Sequence, residues 1–148
     1  MRILMEIAQN RVLITGVLAW VVAQVLKVAF TFISDRKIDL HRMFGLGGMP
    51  SSHSAVVCAL ATACGINRGF YSVEFAIATI LATVVMTDAA GVRRAAGRQA
   101  VQINLIVKDL IENGHGLTYE NMKELLGHTP FQVLVGAIIG IILAFLIV

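Results

Sequence analysis

Four groups of residues in this sequence are chemically suited to holding and transferring a phosphoryl group. The first is the run Gly47-Gly48-Met49-Pro50-Ser51-Ser52-His53. Its glycines let backbone approach a ligand, its serine hydroxyls donate hydrogen bonds to phosphate oxygens, and its histidine exchanges a proton near neutral pH. The second is Gly127-His128-Thr129-Pro130. The chain's two prolines thus each stand beside a histidine, where an apolar run begins, a position that the fixed φ of proline suits. Helix N-termini carry unpaired N–H groups and a partial positive charge, which favour phosphate. The competing explanation is helix capping, in which Ser and Thr are common and the histidine is incidental. For the His128 run taken alone, capping is the simpler account.

The third group is Asp88-Ala89-Ala90-Gly91-Val92-Arg93-Arg94. Guanidinium offers planar, multidentate hydrogen bonding to phosphate, although the arginines also suit an interfacial anchor paired with Asp88. Adjacent residues on a helix point in different directions, so one of the two reaches the ligand directly, and Arg94 is slightly favoured. The fourth is Lys27, an ionisable residue inside an apolar segment. It either faces the bundle interior as a second phosphate-binding cation or snorkels to the interface.

These residues need elements to position them, and the composition says which. Of 148 residues, 57% are apolar and 14% charged, with a mean hydropathy of +0.81. A typical soluble domain is roughly a quarter charged, so the chain reads as a single membrane-embedded unit spanning residues 1–148. Its net charge of +3 points to anionic lipid head groups; nucleic acid is not expected, because the basic residues are scattered and lack interleaved aromatics. Cys58 and Cys64 lie in an apolar run and are read as small buried residues, not as a disulfide or metal pair. The first apolar run is too long for the core of a cleavable signal.

A helix needs about 20 apolar residues to cross about 30 Å of hydrocarbon. Four segments approach this, at 12–34, 54–67, 75–92 and 130–148, the second being short. The expected fold is an all-α integral membrane bundle of about four transmembrane helices. Residues 98–127 are expected to form an interfacial helical hairpin between the third and fourth, broken at Asn113-Gly114-His115-Gly116, with Thr118 and Gly127 as cap and stop. That hairpin is either a surface feature or a lid. Gly136 and Gly140, spaced Gly-x-x-x-Gly, suggest close packing within the bundle.

With four crossings, both histidines and both arginines fall on one face. That face carries Arg36, Lys37, Arg42, Arg93, Arg94, Arg98, Lys108 and Lys123, against Arg2, Arg11 and Arg68 opposite. The positive-inside rule places it in the cytoplasm, in a bacterial-type plasma membrane.

At Gly48-Met49-Pro50-Ser51-Ser52-His53, at Asp88 to Ala95 and at Gly127-His128-Thr129-Pro130, the sequence resembles the divergent branch of the type 2 phosphatidic acid phosphatase family, related to vanadium-dependent haloperoxidases. The resemblance spans about Lys27 to Gly140. It implies a phosphatase acting on a lipid or isoprenoid phosphate or pyrophosphate, through a phosphohistidine and without metal or other cofactor. His128 would be the nucleophile and His53 the general acid, with Ser51, Ser52, Lys27 and one of Arg93 and Arg94 clamping the phosphate. Three features depart from the family pattern. Lys27 is followed after seven residues by Ser34 where the family has Arg-Pro, the hairpin separates Arg94 from His128, and Gln132 stands in place of an Asp four residues after the nucleophile. A carboxylate there would orient the imidazole and stabilise its developing charge. Gln132 can orient but brings no charge, unless Asp88 approaches to supply it. This favours, as a second reading, a lipid-phosphate binding or transport protein that keeps the anion site.

Overall fold

The computed structural model describes residues 1–36, 48–112 and 127–148, and every regular element among them is helical. A short α1 (Arg2–Ala8) leads into α2 (Arg11–Asp35), followed by α3 (Ser52–Arg68) and α4 (Val73–Thr87). A π-turn (Asp88–Val92) then passes into α5 (Arg93–Glu112), and α6 (Pro130–Ile147) closes the described chain. Side-chain caps begin the long helices: Asn10 accepts from the Leu13 N–H at 3.1 Å, and Ser72 accepts from the Phe75 N–H at 3.2 Å. Gly69 ends α3 at a φ of +90°, a conformation glycine reaches without steric cost.

Among the described residues, three stretches are long and apolar enough to cross a membrane: Arg11–Ile33, Val73–Ile111 and Pro130–Ile147. The short second segment is α3, whose 17 residues rise about 26 Å. It lies at the centre, packed against α2, α4 and α6. Its buried residues are mostly small, including Ser54, Ala55, Ala59, Ala63 and Gly65. Helices gain no hydrophobic energy by meeting inside lipid, so backbones must come close enough for van der Waals contact. The Gly-x-x-x-Gly pair does this from the other side. A Cβ on Gly136 would collide with the Ser51 carbonyl, and one on Gly140 with the Ala55 carbonyl. Outward faces of α2, α4 and α6 expose Val25, Ile80, Val84 and Phe145, the apolar surface an integral membrane bundle presents to lipid. Cys58 and Cys64 are both free thiols, Cys58 packed with Val57, Ala82 and Met86 in the small core.

One expectation changes. The helix that begins at Val73 does not stop near residue 92, because helical backbone runs through the π-turn to Glu112. The first arm of the expected hairpin is therefore continuous with the third span. The reason is visible in the residues: no proline occurs between Pro50 and Pro130, and Ala89, Ala90, Ala95, Ala96 and Ala100 favour helix strongly enough to absorb Gly91 and Gly97. Beyond the π-turn, α5 finds little packing among the described elements. The 37–47 loop, the break at Asn113-Gly114-His115-Gly116, Thr118 and the second arm of the hairpin lie outside the described residues.

Candidate functional site

The ends of α2 and α4 and the starts of α3 and α6 come together at one end of the bundle. Two backbone hydrogen bonds tie them. The Ser51 N–H donates to the Gln132 carbonyl at 3.1 Å, joining the start of α3 to the first turn of α6, and the His128 N–H donates to the Ala89 carbonyl at 3.1 Å, joining the approach to α6 to the π-turn. The three sequence runs, some 40 residues apart from one another along the chain, thereby become one cluster.

Local chemistry sets each side chain. Ser51 is the N-cap of α3 and is fully buried, its hydroxyl oxygen 3.4 Å from the Ser54 N–H and 3.0 Å from the Ser54 hydroxyl. Ser51 is thus engaged within the helix start, while Ser52 and His53 occupy its first two positions, where backbone N–H groups lack intrahelical acceptors. Pro50 precedes the cap, whereas Pro130 is the first residue of α6. Thr129 caps α6 in a reciprocal box: its hydroxyl accepts from the Gln132 N–H at 3.3 Å, and the Gln132 side-chain oxygen accepts from the Thr129 N–H at 3.0 Å.

The same Gln132 oxygen lies 3.4 Å from Nδ1 of His128. An amide oxygen is only an acceptor, so this contact favours the tautomer with the proton on Nδ1 and the lone pair on Nε2. His128 is 4% exposed. Burial pushes its pKa below the usual histidine value; the bond to Gln132 and one to the Gly48 backbone oppose this, while the positive charges of Lys27 and His53 reinforce it.

His53 meets His128 edge to face, with ring centroids 6.1 Å apart and planes at 64°. Its Nδ1 is buried and has no hydrogen-bond partner among the described residues. The charges of Arg93, Lys27 and Asp88 all act on the His53 ring. Lys27 is 2% exposed, so it does not snorkel. Gly48, at a φ of +84°, lies over its methylenes so closely that a Cβ would come within 3.3 Å of them.

The π-turn gives the two arginines different surroundings. Five residues along an α-helix are about 140° apart around its axis, yet Arg93 Nε reaches Asp88 Oδ2 at 2.6 Å, because the wider i to i+5 turn brings both to one side. Arg93 is the arginine whose charge acts on His53. Arg94 is half-buried, and its backbone packs against Gly127, where a Cβ would come within 2.5 Å of the Arg94 nitrogen. Gly127, expected as a helix stop, is thus the close contact that seats the His128 run on the third span. Asp88 goes to Arg93, and Gln132 is the hydrogen-bond partner of the His128 ring among the two orienting candidates. Sequence reasoning missed the Ala89 carbonyl and the π-turn. Their one sequence signal is the five-residue spacing of Asp88 and Arg93 across a glycine.

Together these groups present a buried ammonium, an exposed guanidinium and helix N–H donors beside two imidazoles. Comparison with known proteins identifies the chain's family. A family model described as the divergent PAP2 family matches residues 8–143. The chain is 42% identical to the uncharacterized membrane protein YuiD of Bacillus subtilis (strain 168), with 94% of each chain covered. No solved structure matches it.

Proposed function

The chain belongs to the divergent PAP2 family, and from that premise we propose that it is a membrane phosphatase releasing phosphate from a lipid or isoprenoid phosphate or pyrophosphate by way of a phosphohistidine. The observation that carries this reading is the approach of His53 to His128, at 6.1 Å between ring centroids. Attack distances of about 3–3.5 Å and hydrogen bonds of about 2.6–3.2 Å let a single phosphate ester touch both rings.

In this mechanism the Nε2 lone pair of His128 attacks phosphorus while Nδ1–H points at Gln132. The bond from phosphorus to the lipid oxygen breaks, and His53, as imidazolium, gives that oxygen its proton. Neutral His53 then takes a proton from water, whose oxygen attacks the phosphohistidine, releasing phosphate and restoring His128. Lys27, Arg93 and the first N–H groups of α3, with Ser52, hold the equatorial oxygens as charge builds. Ser51 positions that helix start. An ester oxygen would also satisfy the buried His53 Nδ1, whose isolation otherwise costs about 1–3 kcal/mol.

The test is phosphate release by purified protein in detergent from such substrates without added metal, with inhibition by vanadate. Full activity in His128→Ala would sink the mechanism. The site face is proposed as cytoplasmic on the excess of Lys and Arg there. In a cysteine-free background, Arg98→Cys should react with an impermeant maleimide in inverted vesicles and stay unreacted in intact cells; the opposite pattern overturns the orientation.

A second reading rests on Gln132, which orients His128 without charge. A lipid-phosphate binding or transport protein would bind phospholipid and release nothing, and Gln132→Asp would then create turnover.

A further inference from the structure

A groove of about 590 Å³ lies between α4 and α6 beside the site, its upper lining being Thr87, Ala90, Gly91 and Pro130. Its walls belong to two helices that meet at the top and separate below: α6 touches the π-turn, while α4 packs on α3 rather than on α6. The α4 side contributes Thr83, Met86 and Thr87, the π-turn Gly91, and α6 Leu134 and Ala137. Met86 and Ala137, at its inner side, pack against the core cluster of Val57, Cys58 and Ala82.

Three features make this groove apolar, adjacent to the site and open. The threonine hydroxyls are turned inward along their own helix, Thr83 Oγ1 donating to the Thr79 carbonyl at 3.0 Å and Thr87 Oγ1 to the Thr83 carbonyl at 2.8 Å, which leaves their methyls as the wall. At the top, Thr87 adjoins Asp88, and Pro130 lies two residues from His128. A Cβ on Gly91 would meet nothing within 4 Å. From Pro130 to Ala137 the groove descends about 10 Å, most of the roughly 15 Å depth of one leaflet.

We propose that this α4–α6 groove holds the hydrocarbon chain of the phosphorylated lipid whose phosphate lies at His53 and His128. It admits one chain, entering sideways from the same leaflet as the site, so that a two-chain lipid would leave its second chain in the bilayer. The proposal rests on the phosphate-site reading above and adds that chain length is sensed on α4 and α6.

The test uses dodecyl phosphate, ethyl phosphate and a dodecyl phosphate carrying a diazirine on its chain. Thr83→Phe and Leu134→Trp fill the groove from opposite walls, and Val84→Phe on the lipid-facing side of α4 is the control. Each filling variant should raise KM for dodecyl phosphate at least tenfold and leave ethyl phosphate hydrolysis unchanged. Photolabelling of Met86 and Leu134 peptides should be displaced by dodecyl phosphate and lost in Thr83→Phe but kept in Val84→Phe. Labelling that is unchanged in both filling variants, or that falls elsewhere on the bundle, overturns the groove. Groove labelling without phosphate release from any substrate would instead overturn the hydrolytic reading and leave the groove standing.

Discussion

The side-chain oxygen of Gln132 lies 3.4 Å from Nδ1 of His128 while accepting the Thr129 N–H at 3.0 Å. One amide oxygen therefore both closes the cap of α6 and orients a buried imidazole. Replacing it with an unbranched apolar side chain of similar length, Gln132→Met, removes the acceptor. The His128 ring should then shift from the Nδ1–H tautomer toward a mixture, read directly from imidazole ¹⁵N chemical shifts. An unchanged tautomer would mean that the Gly48 backbone holds the ring instead.

His128 attacks in its neutral form, so activity should fall as pH drops through its pKa. Burial, with help from Lys27 and His53, lowers that pKa, and the acid limb of kcat/KM should lie below the ordinary histidine value of about 6.5. Removing the lysine charge in Lys27→Met should move the limb to higher pH, because a cation that disfavoured imidazolium is gone. A limb moving the other way would show that Lys27 does not act on His128.

If His53 protonates the leaving oxygen, its loss should matter most where that oxygen is basic. His53→Ala should slow hydrolysis of an alkyl phosphate by on the order of 10²- to 10⁴-fold and hydrolysis of p-nitrophenyl phosphate far less. Equal losses on the two substrates would remove His53 from proton transfer.

Arg93 and Arg94 separate cleanly. Arg93 acts on His53 and is paired with Asp88, whereas Arg94 supports Gly127 through its backbone. Arg93→Gln should therefore raise the vanadate concentration needed for half inhibition at least tenfold, and Arg94→Gln should change it by less than about threefold. The reverse order would exchange their assignments.

Gly136→Ala drives a methyl into the Ser51 carbonyl. Forcing volume into a packed contact costs about 1–3 kcal/mol, so the variant should melt earlier in detergent and lose activity together with the register of α3 on α6. Ala137→Gly, one residue on, removes a methyl without a clash and should melt within a few degrees of the parent.

Much of this was legible in the chain, and the limits have physical causes. Apolar runs of membrane-crossing length, Ser51, Thr129 and Pro130 at helix starts, and the Gly136–Gly140 spacing are local signals, governed by hydrogen bonds and contacts a few residues apart. They determined the all-helical membrane bundle and the face on which His53 and His128 would lie. Tertiary structure alone decided the rest. The π-turn rotates Arg93 ahead of Arg94, the small residues of α3 draw that helix to the centre, and the His128 N–H crosses to Ala89. Each of these depends on where a second helix sits, and a helix's rotation about its own axis is set by the neighbours it packs against, which no periodicity within one segment specifies.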